Sequence, residues 1–370
     1  MILAVVVVAA MGVAFANGAN DNFKGVATLF GSGTTSYHHA LIWATFSTFL
    51  GSLTAFLLAE RLIKEFTGAN LVSETVAVQP AYVATVAIAT ALTVLLATCL
   101  GLPISTTHAI VGGLVGAGLV SEASVSGNTV AAKFLLPLLV SPILAFLLTV
   151  VTHQTLRRAR LRLGVSEETC FCVASESEPI AVVSGLTGEL AVIEAQRIAA
   201  KVDSEVVCRQ RYAGRVAGVS ASKLLDALHF LSAGAVSFAR GLNDTPKIAA
   251  LLVTGAALSS FVSDAAVGLV IAIGGWMMAR RVAETMSHRI TPMNAGQGLA
   301  ANFVTALVVI GASRLGVPVS TTHVSCGGIF GVGAVTAEAR WKTIAKIMGS
   351  WVITLPMSAA IAAMAYLLFR

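Results

Sequence analysis

Two polar clusters occur twice in this chain, each time inside an apolar surrounding, and that duplication limits the fold more than any other feature. FANGANDNFKGVA at 15–27 aligns with FARGLNDTPKIAA at 238–250, and ALTVLLATCLGLPISTTHAIVGGLVGAG at 91–118 aligns with ALVVIGASRLGVPVSTTHVSCGGIFGVG at 306–333, with 15 identities in 28 positions. Contact with lipid explains apolar residues that recur. It does not explain recurring Asn-Asp and Ser-Thr-Thr-His clusters. The sequence therefore reads as a first transmembrane repeat at 1–154, a polar middle segment at 155–223 and a second repeat at 224–370.

Only 11% of the 370 residues are charged and 56% are hydrophobic, too few charges to clothe a water-soluble surface. A spanning helix needs about 20 apolar residues. Candidate passes are 1–30, 38–59, 80–100, 103–121 and 130–153, then 224–258, 259–279, 290–313, 316–335 and 343–369. The net charge of +6 does not indicate nucleic acid, because the basic residues lie in connectors between apolar runs. The segment 155–223 holds 18 of the 42 charged residues and opens with Arg157, Arg158, Arg160 and Arg162. The positive-inside rule places it in the cytoplasm. Five passes on either side then put both termini outside and start the halves on opposite faces, the inverted repeat of many secondary transporters. The expected fold is an all-α polytopic membrane protein of two inverted repeats, embedded in the lipid of a plasma or inner membrane, with broken helices and STTH segments that either cross fully or dip in as re-entrant hairpins. Short alternating runs at 180–183 and 205–208 hint at some strand in the middle. Cys99 and Cys326 read as core residues. Cys170, Cys172 and Cys208 lack a histidine or CxxC partner, so no metal site is expected and reduced thiols are the simpler reading.

Six charged residues fall within apolar runs: Asp21, Lys24, Arg240, Asp244, Lys247 and Asp264. A charge at membrane depth costs about 2.5–3.5 kcal/mol on the most lenient scale, so each needs a partner, water or a substrate. Asp21 with Lys24 and Asp244 with Lys247 can be structural ion pairs one helical turn apart. Alternatively Gly18, Gly25, Gly241 and Pro246 interrupt their helices, and exposed carbonyls join Asn20, Asp21, Asn243 and Asp244 as oxygen ligands for a small cation. In each G-x-P-x-S-T-T-H segment the proline stops one helix and the hydroxyls start the next. Ser105, Thr106, Thr107, Ser320, Thr321 and Thr322 are then either ordinary helix caps or, as two helix N-termini meeting across a pseudo-two-fold, six donors around one tetrahedral oxyanion. His108 and His323 fit a loop-orienting role better than a substrate contact.

These motifs resemble the inorganic phosphate transporter (PiT-type) family: GANDNFKGVATLFGSG at 18–33, GLNDTPKIA at 241–249 and both P-x-S-T-T-H segments. The resemblance covers both halves and leaves out the middle. It implies an inverted-repeat fold, commonly a homodimer, that moves inorganic phosphate with Na⁺ or H⁺ and uses no cofactor. It further implies phosphate binding by Ser105, Thr106, Thr107, Ser320, Thr321 and Thr322, and cation sites that include Asn20, Asp21, Asn243 and Asp244. The chain departs from the family's N-D-x-x-N pattern, having Lys24 and Lys247 at the last position. Ser47 and Asn302 stand where sodium-coupled members tend to carry glutamate. The expectation is a cation-coupled phosphate carrier working by alternating access, with H⁺ favoured over Na⁺ because each lysine supplies a built-in cation. The alternatives are a sulfate or other oxyanion permease of the same fold, with a channel and a phosphoester-cleaving enzyme further off. No nucleophile has both an adjacent base and an acid companion, so no catalytic residue is assigned.

Overall fold

The computed structural model describes residues 2–121, 124–166, 168–183, 190–204, 206, 217–256 and 259–369. Among the described residues, ten long helices hold the two kinds of polar motif between them. In the first half these are α1 (Ile2–Asp21), α2 (Tyr37–Leu58), α3 (Pro80–Cys99), α4 (Thr106–Val120) and α5 (Leu136–Arg162). Their counterparts are α6 (Ala221–Ala256), α7 (Ser260–Met278), α8 (Ala295–Leu315), α9 (Thr321–Thr336) and α10 (Trp341–Phe369). By contacts the chain forms two compact units, one of Met1–Gln154 with His229–Arg370 and one of Thr155–Leu228.

Among the described residues, seven helices are long and apolar enough to cross a membrane: Ile2–Gly31, Tyr37–Leu58, Pro80–Cys99, Gly127–Arg162, Ser260–Met278, Ala295–Leu315 and Trp341–Phe369. Their outer faces are apolar, with Leu139 64%, Met364 68% and Val352 76% exposed, a surface that only lipid or another apolar partner covers at low cost. The chain is thus an integral multi-pass membrane protein. Helix α6 has the length, at 36 residues, but carries Arg240, Asp244 and Lys247. Helices α4 and α9 have 15 and 16 residues. At 1.5 Å per residue each reaches only about 22–24 Å, short of the ~30 Å hydrocarbon core, so neither 103–121 nor 316–335 is a full helical pass by itself.

The two halves clasp each other through bare backbone. Gly18 of α1 lies against the Ile271 carbonyl of α7, and Gly274 of α7 against the Phe15 carbonyl of α1. In the same way Gly241 of α6 lies against the Thr48 carbonyl of α2, and Gly51 of α2 against the Phe238 carbonyl of α6. The expectation that Gly18 and Gly241 interrupt their helices is therefore corrected. Both sit inside continuous helix, and what they provide is room for a neighbouring main chain. A second exchanged set joins α4 to α10 and α9 to α5. Gly112 and Gly116 approach the Leu355 and Ala359 carbonyls, and Gly327 and Gly331 those of Pro142 and Phe146.

The chain does break after Asp21. A turn, a 3₁₀ segment at Lys24–Val26 and a short helix at Ala27–Gly31 follow. Helix α6 continues through Pro246, so the break that follows Asp21 has no counterpart after Asp244.

The second unit contains a three-stranded antiparallel sheet in the order β2-β1-β3, with β1 Thr169–Val183, β2 Leu190–Ser204 and β3 Ala217–Ser220. Thr169 faces Ser204 and Val183 faces Leu190 in the main register. The strand hint at 180–183 falls in β1. Residues 205, 207 and 208, with Cys208, lie outside the described residues. Cys326 is buried, but Cys99, at the end of α3, is exposed, which corrects its reading as a core residue.

Candidate functional site

The local fold at each motif follows from three residue types. Gly101 and Gly316 adopt φ of 68° and 73°, a left-handed conformation that a side chain would strain. Pro103 and Pro318 follow and keep the chain extended. Ser105 and Ser320 then cap α4 and α9, their Oγ atoms accepting from the His108 and His323 amides at 3.1 and 3.2 Å. Each cap serine keeps its own O–H free to donate.

Asn20 and Asn243 fasten the Asn-Asp segments to these loops. Asn20 Nδ2 donates to Thr98 Oγ1 and the Leu102 carbonyl, and Asn20 Oδ1 accepts from the Ile104 amide. Asn243 Nδ2 donates to the Val319 carbonyl, and Asn243 Oδ1 accepts from Ser313 Oγ. Each asparagine thus binds the STTH loop of its own half.

The lysines cross over. Lys24 Nζ is surrounded by four oxygens: Asp21 Oδ1 at 2.5 Å, Thr322 Oγ1 at 2.6 Å, Asn20 Oδ1 at 2.8 Å and the Ile104 carbonyl at 2.9 Å. Lys247 Nζ has the Val319 carbonyl at 2.6 Å, Thr107 Oγ1 at 2.9 Å and Asp244 Oδ1 at 3.4 Å. Thr322 Oγ1 in turn donates to the Ile104 carbonyl and Thr107 Oγ1 to that of Val319. Each half's lysine is therefore held by the other half's last motif threonine. The middle threonines, Thr106 and Thr321, donate to the Asp21 and Asp244 carboxylates at 3.4 and 3.1 Å. All twelve residues singled out from the motifs are buried, none more than 4% exposed. The structure brings both STT segments and both Asn-Asp-x-x-Lys segments into one network. The two expected ion pairs form as well, and they belong to that network.

Two further members were not assigned to a site from sequence. Asn17 Nδ2 lies 3.1 Å from Asp21 Oδ2, 3.0 Å from Thr106 Oγ1 and 3.4 Å from Asp244 Oδ2. Arg240 donates through Nη2 to Asn17 Oδ1 at 2.7 Å and through Nη1 to Asn22 and Thr48, while its Nε has no hydrogen-bond partner and stands 3.8 Å from Asp244 Oδ2. The signal was present: Asn17 precedes Asp21 by four residues, and Arg240 is its counterpart in the 15–27 and 238–250 alignment. Three side-chain cations, Lys24, Arg240 and Lys247, face two carboxylates, Asp21 and Asp244. The formal surplus is one positive charge in a water-poor space, where an anion is favoured.

The imidazoles turn away from this network. The His108 and His323 rings lie 4.6 Å apart, and His323 stacks on Trp351 at 3.8 Å. Asn302 instead joins a separate polar group, donating to Thr28 Oγ1, which also meets His229 Nε2.

A family model described as the phosphate transporter family matches residues 17–362 of this chain, a span that takes in every residue of the network. The chain belongs to the phosphate transporter family. A protein named probable low-affinity inorganic phosphate transporter, from Rhizobium meliloti, is 28% identical over 372 residues, covering 95% of this chain and 92% of its own length. Inorganic phosphate transporter 2-1, chloroplastic, of Arabidopsis thaliana is 28% identical over 403 residues, covering 93% of this chain and 68% of the plant protein. The solved structure of a sodium-dependent phosphate transporter shares the fold, with a TM-score of 0.76 over 100% of this chain and 98% of the other at 22% identity. Membership of the phosphate transporter family fits a network with one surplus side-chain cation.

Proposed function

We propose that this chain is a secondary phosphate transporter that works by alternating access between two inverted repeats and couples uptake to H⁺ rather than Na⁺. The observation that carries this reading is the oxygen cage around Lys24 Nζ, with its smaller counterpart around Lys247. Four oxygens at 2.5–2.9 Å, from a carboxylate, an amide, a hydroxyl and a backbone carbonyl, are the donor set of a small inorganic cation. An ammonium fills that place here, covalently attached. A lysine can give up its charge when its surroundings change, and an inorganic cation cannot.

Phosphate binds between the N-termini of α4 and α9. Six hydroxyls, from Ser105, Thr106, Thr107, Ser320, Thr321 and Thr322, two helix starts and Arg240 are the donors that replace its water. In the present arrangement the threonine hydroxyls donate to Asp21, Asp244 and two carbonyls, so anion binding exchanges those contacts for contacts to phosphate. The orientation that goes with this reading has the middle segment in the cytoplasm, supported by its opening run of arginines, and both termini outside.

The deciding experiment is uptake of phosphate and of sulfate into proteoliposomes under separately imposed Na⁺ and H⁺ gradients. The expected result is phosphate accumulation driven by an inward H⁺ gradient without Na⁺. Strict Na⁺ dependence would overturn the coupling assignment, and sulfate uptake that outcompetes phosphate would overturn the substrate.

A further inference from the structure

One buried charge takes no part in the network. Asp264 on α7 is 0% exposed, and neither carboxylate oxygen has a hydrogen-bond partner. Its neighbour Ser263 is also fully buried, with a hydroxyl that has none. Two neighbouring contacts fix the place of Asp264. On one side the Phe261 ring meets Phe56 at 5.2 Å, and on the other Gly268 packs on Ser52 and Phe49. The stretch of α2 it faces, 49–56, contains no titratable residue. The charged groups on the other helices near α7 are all engaged. On α1, Asp21 is held by Lys24 and Asn17. On α6, Arg240, Asp244 and Lys247 are held by one another, by Asn17 and by the STTH loops.

An unpaired carboxylate in hydrocarbon surroundings is the costliest form of this side chain, and the neutral acid is far cheaper. A buried carboxyl with no hydrogen-bond partner at either oxygen carries a penalty of the kind that proteins keep where a group must act. The position is also wired to the site. Ser52, against which Gly268 packs, accepts from Thr245 Oγ1 at 2.7 Å, and Thr245 lies between Asp244 and Lys247 in sequence. In the matching register of the first half the residue is Leu41, also buried. The fold thus accepts a plain apolar side chain at this position, and the carboxyl is an addition of the second half.

We infer that Asp264 is a proton-binding site of the transport cycle: its carboxyl holds a proton in the conformation seen here and releases it when α7 opens that position to water. This rests on the proton-coupled reading above and adds a carrier outside the motifs. No bond other than O–H forms or breaks, and the proton passes between the Asp264 carboxyl and water.

The test compares wild type, Asp264→Asn and Asp264→Leu in proteoliposomes. Accumulation of phosphate driven by an imposed H⁺ gradient is measured beside phosphate exchange at equal pH on both sides. The expected result is loss of gradient-driven accumulation in both variants with exchange kept at the wild-type rate. Wild-type accumulation in Asp264→Leu would overturn the inference and leave the coupling reading standing. If wild type itself ignores the H⁺ gradient, the coupling reading fails. The infrared spectrum tests the protonation separately: a protonated-carboxyl band present in wild type at neutral pH and missing in Asp264→Asn is the expected result, and an unchanged spectrum overturns the inference. Asp264→Leu should melt no lower than wild type. A large drop would mean that the carboxyl is held by partners, which also overturns the inference.

Discussion

The Asn-Asp segment of the first half and that of the second make the same contacts by different routes. Asn20 and Asn243 each hold their own STTH loop, and Lys24 and Lys247 each reach across to the other's threonine. Yet α1 stops at Asp21 while α6 runs on through Pro246, and Asn17 faces Arg240 where a perfect two-fold would place like against like. The contacts are what the site requires, and the backbone path that delivers them is free to differ. The asymmetry is concentrated in charge: the second half brings the extra guanidinium and the extra carboxyl.

Breaking one lysine cage at a time should have the largest effect. Lys24→Met and Lys247→Met each leave a buried aspartate without its ammonium, a loss of about 3–5 kcal/mol. Thermal or urea unfolding in detergent should show it, and phosphate uptake should disappear. Lys24→Met combined with Asp21→Asn should recover much of the stability but not the uptake. If Lys24→Met proves far milder than Lys247→Met, the four-oxygen cage is not the stronger of the two.

The crossed threonines come next. Thr107→Val and Thr322→Val each remove a hydrogen bond to a charged group, worth about 1.5–3 kcal/mol, and should weaken phosphate binding by similar factors in isothermal titration. Unequal losses would show that the anion leans toward one half. The exchanged glycines test the packing. Gly18→Ala and Gly241→Ala each push a methyl group into a neighbouring main chain, so each should lower stability by about 1–3 kcal/mol, and by matching amounts. Smallest are the caps. Ser105→Ala and Ser320→Ala should each cost about 1 kcal/mol of stability. A larger loss in phosphate affinity than in melting temperature would separate an anion contact from plain capping.

The duplicated motifs made most of this legible in the sequence, because a charged or hydroxyl residue inside an apolar run has few places to go. All six membrane-depth charges are buried, and both STT segments join one network. Asn17 is harder to place, because its spacing to Asp21 and its repeat counterpart Arg240 gain meaning only from the partners its side chain meets. Gly18 and Gly241 were misread because sequence does not distinguish a glycine that breaks a helix from one that admits a neighbour. The different courses after Asp21 and Asp244 were hidden for a similar reason: a proline suggests a break, but packing on both sides can hold the helix together across it.

The glycine contacts between α1 and α7 and between α6 and α2 have a mechanical consequence. Where main chain rests directly on main chain, there is no cushion of side chains to shear or repack, so α1 travels with α7 as one stiff pair and α6 with α2 as another. The N-terminal ends of α4 and α9 are joined across the halves by exchangeable hydrogen bonds instead, so on the reading proposed above the joint able to yield is also the place where cargo would sit.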